Sequence, residues 1–329
     1  MAKGRDSQDQ PVRQKVIGGL TFGALTRKYA IGIAALLTFF FLSFASPAFL
    51  SVRNIHNILD QSAHIGIVAC AHTIAIISGN FDLSSGAVFA MGGSVAALIA
   101  VSGYTKLGLV VGALVGLLIG LLNGLVISVL RLHSFIATLA SSLIIGGTAL
   151  VLTDGRLIIV RDPAFSVLGQ STIFSVRTPI FIFAAFALFT WVLLSRTRFG
   201  RHVYAVGGNA EAARLSGINV QLIQILVFGI TGFAAALAGV ITVSRMGQGQ
   251  GDIGELVALQ AIARVVIGGT SILGGQGAIG GTILGVLLLR LVGNGFNLLN
   301  VPPFYQRMFE GAIIFFAVAI ETLSRRRRR

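Results

Sequence analysis

Ten apolar stretches, each near the roughly 20 residues that a helix needs to cross a bilayer, follow one another along this chain with little between them. They fall at roughly 29–50, 62–78, 82–102, 107–130, 134–153, 179–195, 221–243, 256–273, 278–299 and 304–323, the second being short for a full crossing. Backbone in hydrocarbon has to satisfy its own hydrogen bonds, which restricts such a sequence to a bundle of membrane helices. The expectation is an all-α, polytopic transmembrane bundle of about ten spans. With 55% hydrophobic and 11% charged residues, the composition excludes an ordinary soluble domain.

The basic residues give the bundle an orientation. An even number of spans puts both termini on one side, and that side then carries 16 Lys and Arg, against seven on the other. The rich side holds the tail (Lys3, Arg5, Arg13, Lys15, Arg27, Lys28), Arg131, the stretch Ser195–Val220 and the run Arg325–Arg329. By the positive-inside rule both termini are cytoplasmic. The net charge of +14 is therefore read as span flanks that meet anionic lipid, not as a nucleic-acid footprint, since no basic patch is interleaved with aromatics. Residues 1–28 read as a cytoplasmic tail, 29–324 as the membrane domain with a cytoplasmic loop at 196–220, and 325–329 as a basic terminus. The polar first 28 residues do not support a cleaved secretory signal.

The loop contains the makings of a two-turn helix. Asn209 can cap its start, Glu211 lies in the first turn, Arg214 near the end, and Gly217 can take the left-handed turn that stops it. It is either a plain solvated loop or a grip for a soluble partner.

Gly112, Gly116, Gly120 and Gly124 recur every four residues, and Gly281 and Gly285 repeat the device. Such stripes let helix backbones approach closely, and static packing is the favoured reading over sliding surfaces. Two segments, Ser78–Gly86 and Leu273–Gly281, break apolar runs without a long loop. Turned backbone at membrane depth is tolerated where it is buried in protein or lines a wet cavity. On the opposite side the longer loop Asp154–Thr178, with Pro163 and Pro179, is not a continuous helix and gives reach toward an external partner.

Much chemistry is excluded. Gly275–Gly280 spells G-x-G-x-x-G but follows no strand, so the dinucleotide reading fails its context. No phosphate-loop motif occurs, so any ATPase is a separate chain. Cys70 alone makes no disulfide or metal site. His64 and His72, eight apart, can share a helix face, with Asp60 as the one acid near them, and polar helix contacts are favoured over metal. His133-Ser134 is the wrong geometry for a serine hydrolase. No cofactor is expected, and no motif marks the chain as an enzyme.

Charged groups within spans cost roughly 2.5–3.5 kcal/mol on insertion scales, so they tend to face a pathway or a partner. Arg264 and Arg290 are such groups, and Glu310 lies at a depth that allows an Arg290–Glu310 clamp. Asn294 and Asn297, three apart, can meet sugar hydroxyls or bond neighbouring helices.

Four segments together carry a family resemblance. Gly79–Gly86 (GNFDLSSG) resembles the G-x-D-L-S-x-G segment of permease subunits in ribose-type sugar ABC importers. Arg198–Arg201, Ala205–Asn209 and Ala212–Asn219 resemble their cytoplasmic loop. Val266–Ser271 with Gly274-Gly275, and Gly293–Leu299, resemble a third and a fourth signature. The matches run from about residue 50 to 320, in order.

The resemblance implies a dimeric or paired permease core in a bacterial inner membrane, a cytoplasmic ATP-binding subunit and a periplasmic sugar-binding protein. Ala210–Ser216 becomes the helix that couples to the ATPase, with Asn209, Glu211, Ala212, Arg214, Ser216 and Gly217 as its residues. Asp82, Ser84, Gln260, Arg264, Asn294 and Asn297 become candidates for the solute pathway. The sequence departs from the pattern at Ala258-Leu259-Gln260-Ala261, where the family has Glu-Leu-Asp-Ala. Arg264 replaces a small apolar residue, and Asn80-Phe81 adds one residue before Asp82. These changes bear on which monosaccharide or polyol moves. The alternative is an ion-coupled secondary transporter, which needs membrane carboxylates, here Asp82 and Glu310.

Overall fold

A computed structural model of the chain describes residues 22–306 together with 308–309, 311–313 and 315. Most of the N-terminal tail, most of the tenth apolar stretch, Glu310 with its expected clamp, and the terminal arginines lie outside the described residues.

The long helices are α1 (Phe22–Ala45), α2 (Val52–Ile77), α3 (Ser85–Val101), α4 (Thr105–Leu130), α5 (Ser134–Thr153), α7 (Thr178–Arg196), α10 (Val220–Met246) and α12 (Ile279–Leu298). Shorter ones are α6 (Val167–Gln170), α8 (Arg198–Gly208), α9 (Ala210–Leu215) and α11 (Val257–Ile267). The described residues also form two small antiparallel pairs: β1 (Ile158–Ile159) with β4 (Gln248–Gly249), and the hairpin β2 (Thr172–Ile173) with β3 (Val176–Arg177). Phe174 and Ser175 both take positive φ at its tip, as a tight two-residue hairpin turn requires. Among the described residues, α4, α5, α7, α10 and α12 are long and apolar enough to cross a membrane.

Helix α2 occupies the centre. From Ile65 to Ser78 every residue is buried, because this stretch is apolar on all faces and has nowhere else to go. Around it pack α7, α10, α11 and α12, while α3 and α4 lie against α10. Helix α4 shows the inverted logic of a membrane helix. Gly112, Gly116, Gly120 and Gly124 are buried, whereas Leu114, Leu118, Leu122 and Leu125 point outward. A β-carbon at Gly120 would stand 2.1 Å from the carbonyl oxygen of Phe228 on α10, so the stripe is a seat for a neighbouring backbone. Gly281 and Gly285 do the same for α11, where a β-carbon at Gly285 would lie 2.2 Å from the Arg264 carbonyl oxygen.

Two expected spans differ. The second stretch is not short: α2 begins at Val52 and runs 26 residues. Its first turns are polar, which hid them, but Asn54 and Asp60 are buried with partners on other segments. The eighth stretch shrinks to the 11 residues of α11, because Gly269, Gly274 and Gly275 take left-handed backbone and turn the chain at 268–278. Pro163 opens a single 3-10 turn (Pro163–Ser166) and Pro179 lies in the first turn of α7, so the 154–178 loop is broken where expected.

Candidate functional site

The polar loop folds into two helices, not one. Helix α9 has the expected caps: Asn209 Oδ1 accepts from the Ala212 N–H at 3.0 Å, and Gly217 takes φ +82° after the last turn. Glu211 and Arg214 form an exposed ion pair at 2.6 Å. Asn209, Glu211, Ala212, Arg214, Ser216 and Gly217 are all exposed, and only Ala213 is buried, so α9 rests on the bundle by one methyl group. Leu215, which sequence reasoning passed over, is 80% exposed.

Helix α8 was missed by sequence reasoning, although Phe199, Val203 and Val206 at helical spacing were its signal. Val203 and Val206 are buried, and Thr197 Oγ1 accepts from the Gly200 N–H at the start. Its far end enters a crowded corner. The Ile77 carbonyl oxygen, at the end of α2, accepts from the Gly275 N–H at 2.8 Å, and Gly207 lies over that carbonyl. The Tyr204 hydroxyl donates to the Gly277 carbonyl oxygen at 2.8 Å. Burial pushes the Tyr204 phenol up. The two broken segments therefore meet each other, and α8 holds them together.

The first break is closed by its own side chains. Asp82 Oδ1 accepts from the Ser84 N–H at 3.0 Å and the Ser84 hydroxyl at 2.5 Å, and Asp82 Oδ2 accepts from Thr231 on α10 at 2.6 Å. Asn123 donates to Ser84 Oγ at 3.0 Å, and its own Oδ1 accepts from Ser141 at 2.7 Å. Thr138 Oγ1 accepts from the Leu83 N–H at 3.0 Å. Ser85 Oγ lies 2.9 Å from His72 Nε2. Asp82 and Ser84 are buried within this network.

A separate cavity of about 170 Å³ lies between α2, α11 and α12. Gln61 and His64 line it from α2, Gln260 and Arg264 from α11, Arg290 and Phe296 from α12, and Gln306 from the last segment. Arg264 donates from Nη1 to the Gln260 carbonyl at 2.8 Å and is buried. Of the six residues assigned from sequence to a pathway, the fold thus brings Gln260 and Arg264 to one cavity. Asn294 instead exchanges two amide hydrogen bonds with Asn54, at 3.1 and 2.8 Å, fastening α12 to α2. Asn297 Oδ1 accepts from Gln306 at 2.9 Å and so steadies one wall. His64 and His72 part company, one in the cavity and one on Ser85. Among the described residues no cluster of three metal-ligating side chains occurs. Cys70 is buried.

One further group escaped sequence reasoning. Asp60, one turn from His64 on α2, receives Arg177 of β3 at 3.2 Å and Arg245 of α10 at 3.3 Å, both on Oδ2. Nothing local in the sequence links these three positions.

Residues 54–318 match the family model described as the permease component of a branched-chain amino acid transport system. The chain is 39% identical over 302 residues to the ribose import permease protein RbsC of Escherichia coli K12, covering 88% of this chain and 92% of that protein. It is 38% identical over 303 residues to RbsC of Bacillus subtilis 168, covering 91% and 94%. It is 34% identical over 310 residues to the L-arabinose transport system permease protein AraH of Escherichia coli K12, covering 94% of each. No solved structure matches the chain.

Proposed function

Since the chain belongs to the family of bacterial transport-system permease components, we propose that it carries a monosaccharide or polyol inward through the cavity between α2, α11 and α12. Its role is that of the membrane subunit of an ATP-driven importer, and hydrolysis belongs to a separate ATP-binding subunit. In this reading a periplasmic sugar-binding protein delivers the solute, two permease chains pair in a bacterial inner membrane, and each has ten spans with both ends cytoplasmic. The relatives' names point to pentoses, namely ribose and L-arabinose.

The observation that carries the coupling assignment is the corner at Gly207. Helix α9 is capped, exposed and barely attached, so a soluble partner can seize it. Helix α8, joined to it through the single extended residue Asn209, lies against the end of α2 and against the turn that joins α11 to α12. A push on α9 reaches α2 directly, and α11 and α12 through the turn that joins them. The residues of that grip are Asn209, Glu211, Ala212, Arg214, Ser216 and Gly217. In the cavity, Arg264, Arg290 and the glutamine amides offer donors to hydroxyl oxygens, while Phe296 offers an apolar face. An ion-coupled mechanism has less support, because both oxygens of Asp82 are occupied by hydroxyl and amide donors.

Uptake into vesicles separates the two mechanisms. With ATP present and ion gradients collapsed, uptake of binding-protein-loaded solute persists for an importer. Uptake that dies with the gradient overturns the reading. Reporter fusions at Arg325 and in Ala205–Asn209 should report the cytoplasm, and one within 162–176 the opposite side.

A further inference from the structure

Asp60 is a buried carboxylate with an uneven set of partners. Its side chain is 2% exposed, and Oδ2 takes both Arg177 and Arg245, whose side chains are 43% and 35% exposed. Its other oxygen, Oδ1, is buried without a hydrogen-bond partner among the described residues. A carboxylate fixed purely for packing would be expected to have both oxygens satisfied, since an unmet buried acceptor costs stability. The three segments it joins are α2, the last turn of α10, and β3 at the entry to α7. They meet at the end of the bundle away from α8. Its neighbours Gln61 and His64 line the cavity, so the carboxylate sits on the helix that forms one cavity wall, a single residue from Gln61 and about 6 Å along the axis from His64.

We propose that Asp60 with Arg177 and Arg245 is the latch that keeps the hairpin end of the cavity shut, and that it opens when water enters. The physical basis is the difference between a dry and a wet carboxylate. In the closed state a desolvated Asp60 depends on its two arginines. Once the end of the cavity opens, water solvates both oxygens, Oδ1 gains the partners it lacks, and the part-exposed arginines release at little cost. The closed state is held by two ion pairs and burdened by one dry oxygen, so a modest pull on the hairpin or on the end of α10 tips it. Asp60 is thus a positioning residue for transport and touches no solute. This inference rests on the importer reading above.

The test uses the full chain assembled with its ATP-binding subunit in nanodiscs, with hydrolysis measured with and without loaded binding protein. Asp60→Asn keeps the shape and abolishes both ion pairs, while Arg177→Gln and Arg245→Gln each remove one. Each variant is expected to hydrolyse ATP faster than wild type in the absence of binding protein. The stimulation ratio should fall about fivefold or more for Asp60→Asn, within the roughly 5- to 150-fold range of allosteric couplings. Arg245→Lys, which keeps the charge, should restore much of the ratio. If Asp60→Asn fails to assemble, the two arginine variants decide, since their side chains reach solvent. Variants that assemble and keep the wild-type ratio overturn the latch. A wild-type complex that shows no stimulation overturns the importer reading instead, and the latch with it.

Discussion

Gly207 and Gly208 stand side by side at the end of α8, and adding one methyl group to each should have opposite consequences. A β-carbon at Gly207 would lie 1.6 Å from the Ile77 carbonyl oxygen and 2.8 Å from the Gly275 amide nitrogen. Both are backbone atoms and neither can swing aside. Ordinary contact begins near 3.4 Å, so α8 would have to retreat by close to 2 Å. That movement takes the Tyr204 hydroxyl out of reach of Gly277 and strains the Ile77–Gly275 hydrogen bond. Two net hydrogen bonds at about 1 kcal/mol each, with overpacking of about 1–3 kcal/mol, give a local loss of roughly 3–5 kcal/mol. A β-carbon at Gly208 meets nothing within 4 Å, and its φ is not in the left-handed region, so Gly208→Ala should be silent. The assay is ATP hydrolysis by the assembled complex, with and without loaded binding protein, alongside uptake. Gly207→Ala should insert yet lose the link between hydrolysis and uptake, while Gly208→Ala matches wild type. If the two variants behave alike, the corner does not transmit motion and the argument fails.

Three further outcomes are expected. Asn209→Ala removes the cap of α9 and should cost about 1 kcal/mol of local helix stability; Gly217→Val, at φ +82° in open space, should cost a similar 1–2 kcal/mol by strain alone. Both should lower uptake, with membrane insertion unchanged in a fractionation assay. Arg264→Ala should alter affinity or preference among sugars and polyols in uptake competition, and unchanged competition would place Arg264 outside solute contact. The Thr105 hydroxyl, and then the Ala164 amide, hold the Asp162 carboxyl below its usual range. A depressed folded-state value means that this anchoring is complete above the unfolded value and is lost as pH falls through the folded one. Proteolysis of the 154–178 loop should therefore accelerate only in acid, and Asp162→Asn should remove that dependence.

The succession of apolar stretches made a bundle of membrane helices legible, because backbone in lipid has so few ways to satisfy its hydrogen bonds. The caps of α9 were legible for a similar reason: Asn209 and Gly217 act within one or two turns of chain. The glycine stripe of α4 could be read as a close-packing face, though not which neighbour would fill it. What the sequence did not show was every pairing across distance. Arg53 to Gln61 was left outside the second span, since the partners that make Asn54 and Asp60 acceptable in a core are Asn294, Arg177 and Arg245. Asp82 and Arg264 stood together as pathway candidates, yet one is enclosed by Ser84 and Thr231 and the other lines a cavity. Helix α8 escaped although Phe199, Val203 and Val206 carried its period, and its contact with the turn at 268–278, through Tyr204 and Gly207, belongs to the packed fold alone. Periodicity and capping are local and survive in one dimension. Whether a polar atom is met by a protein donor or by open space depends on which helices come together, and only the packed fold decided that.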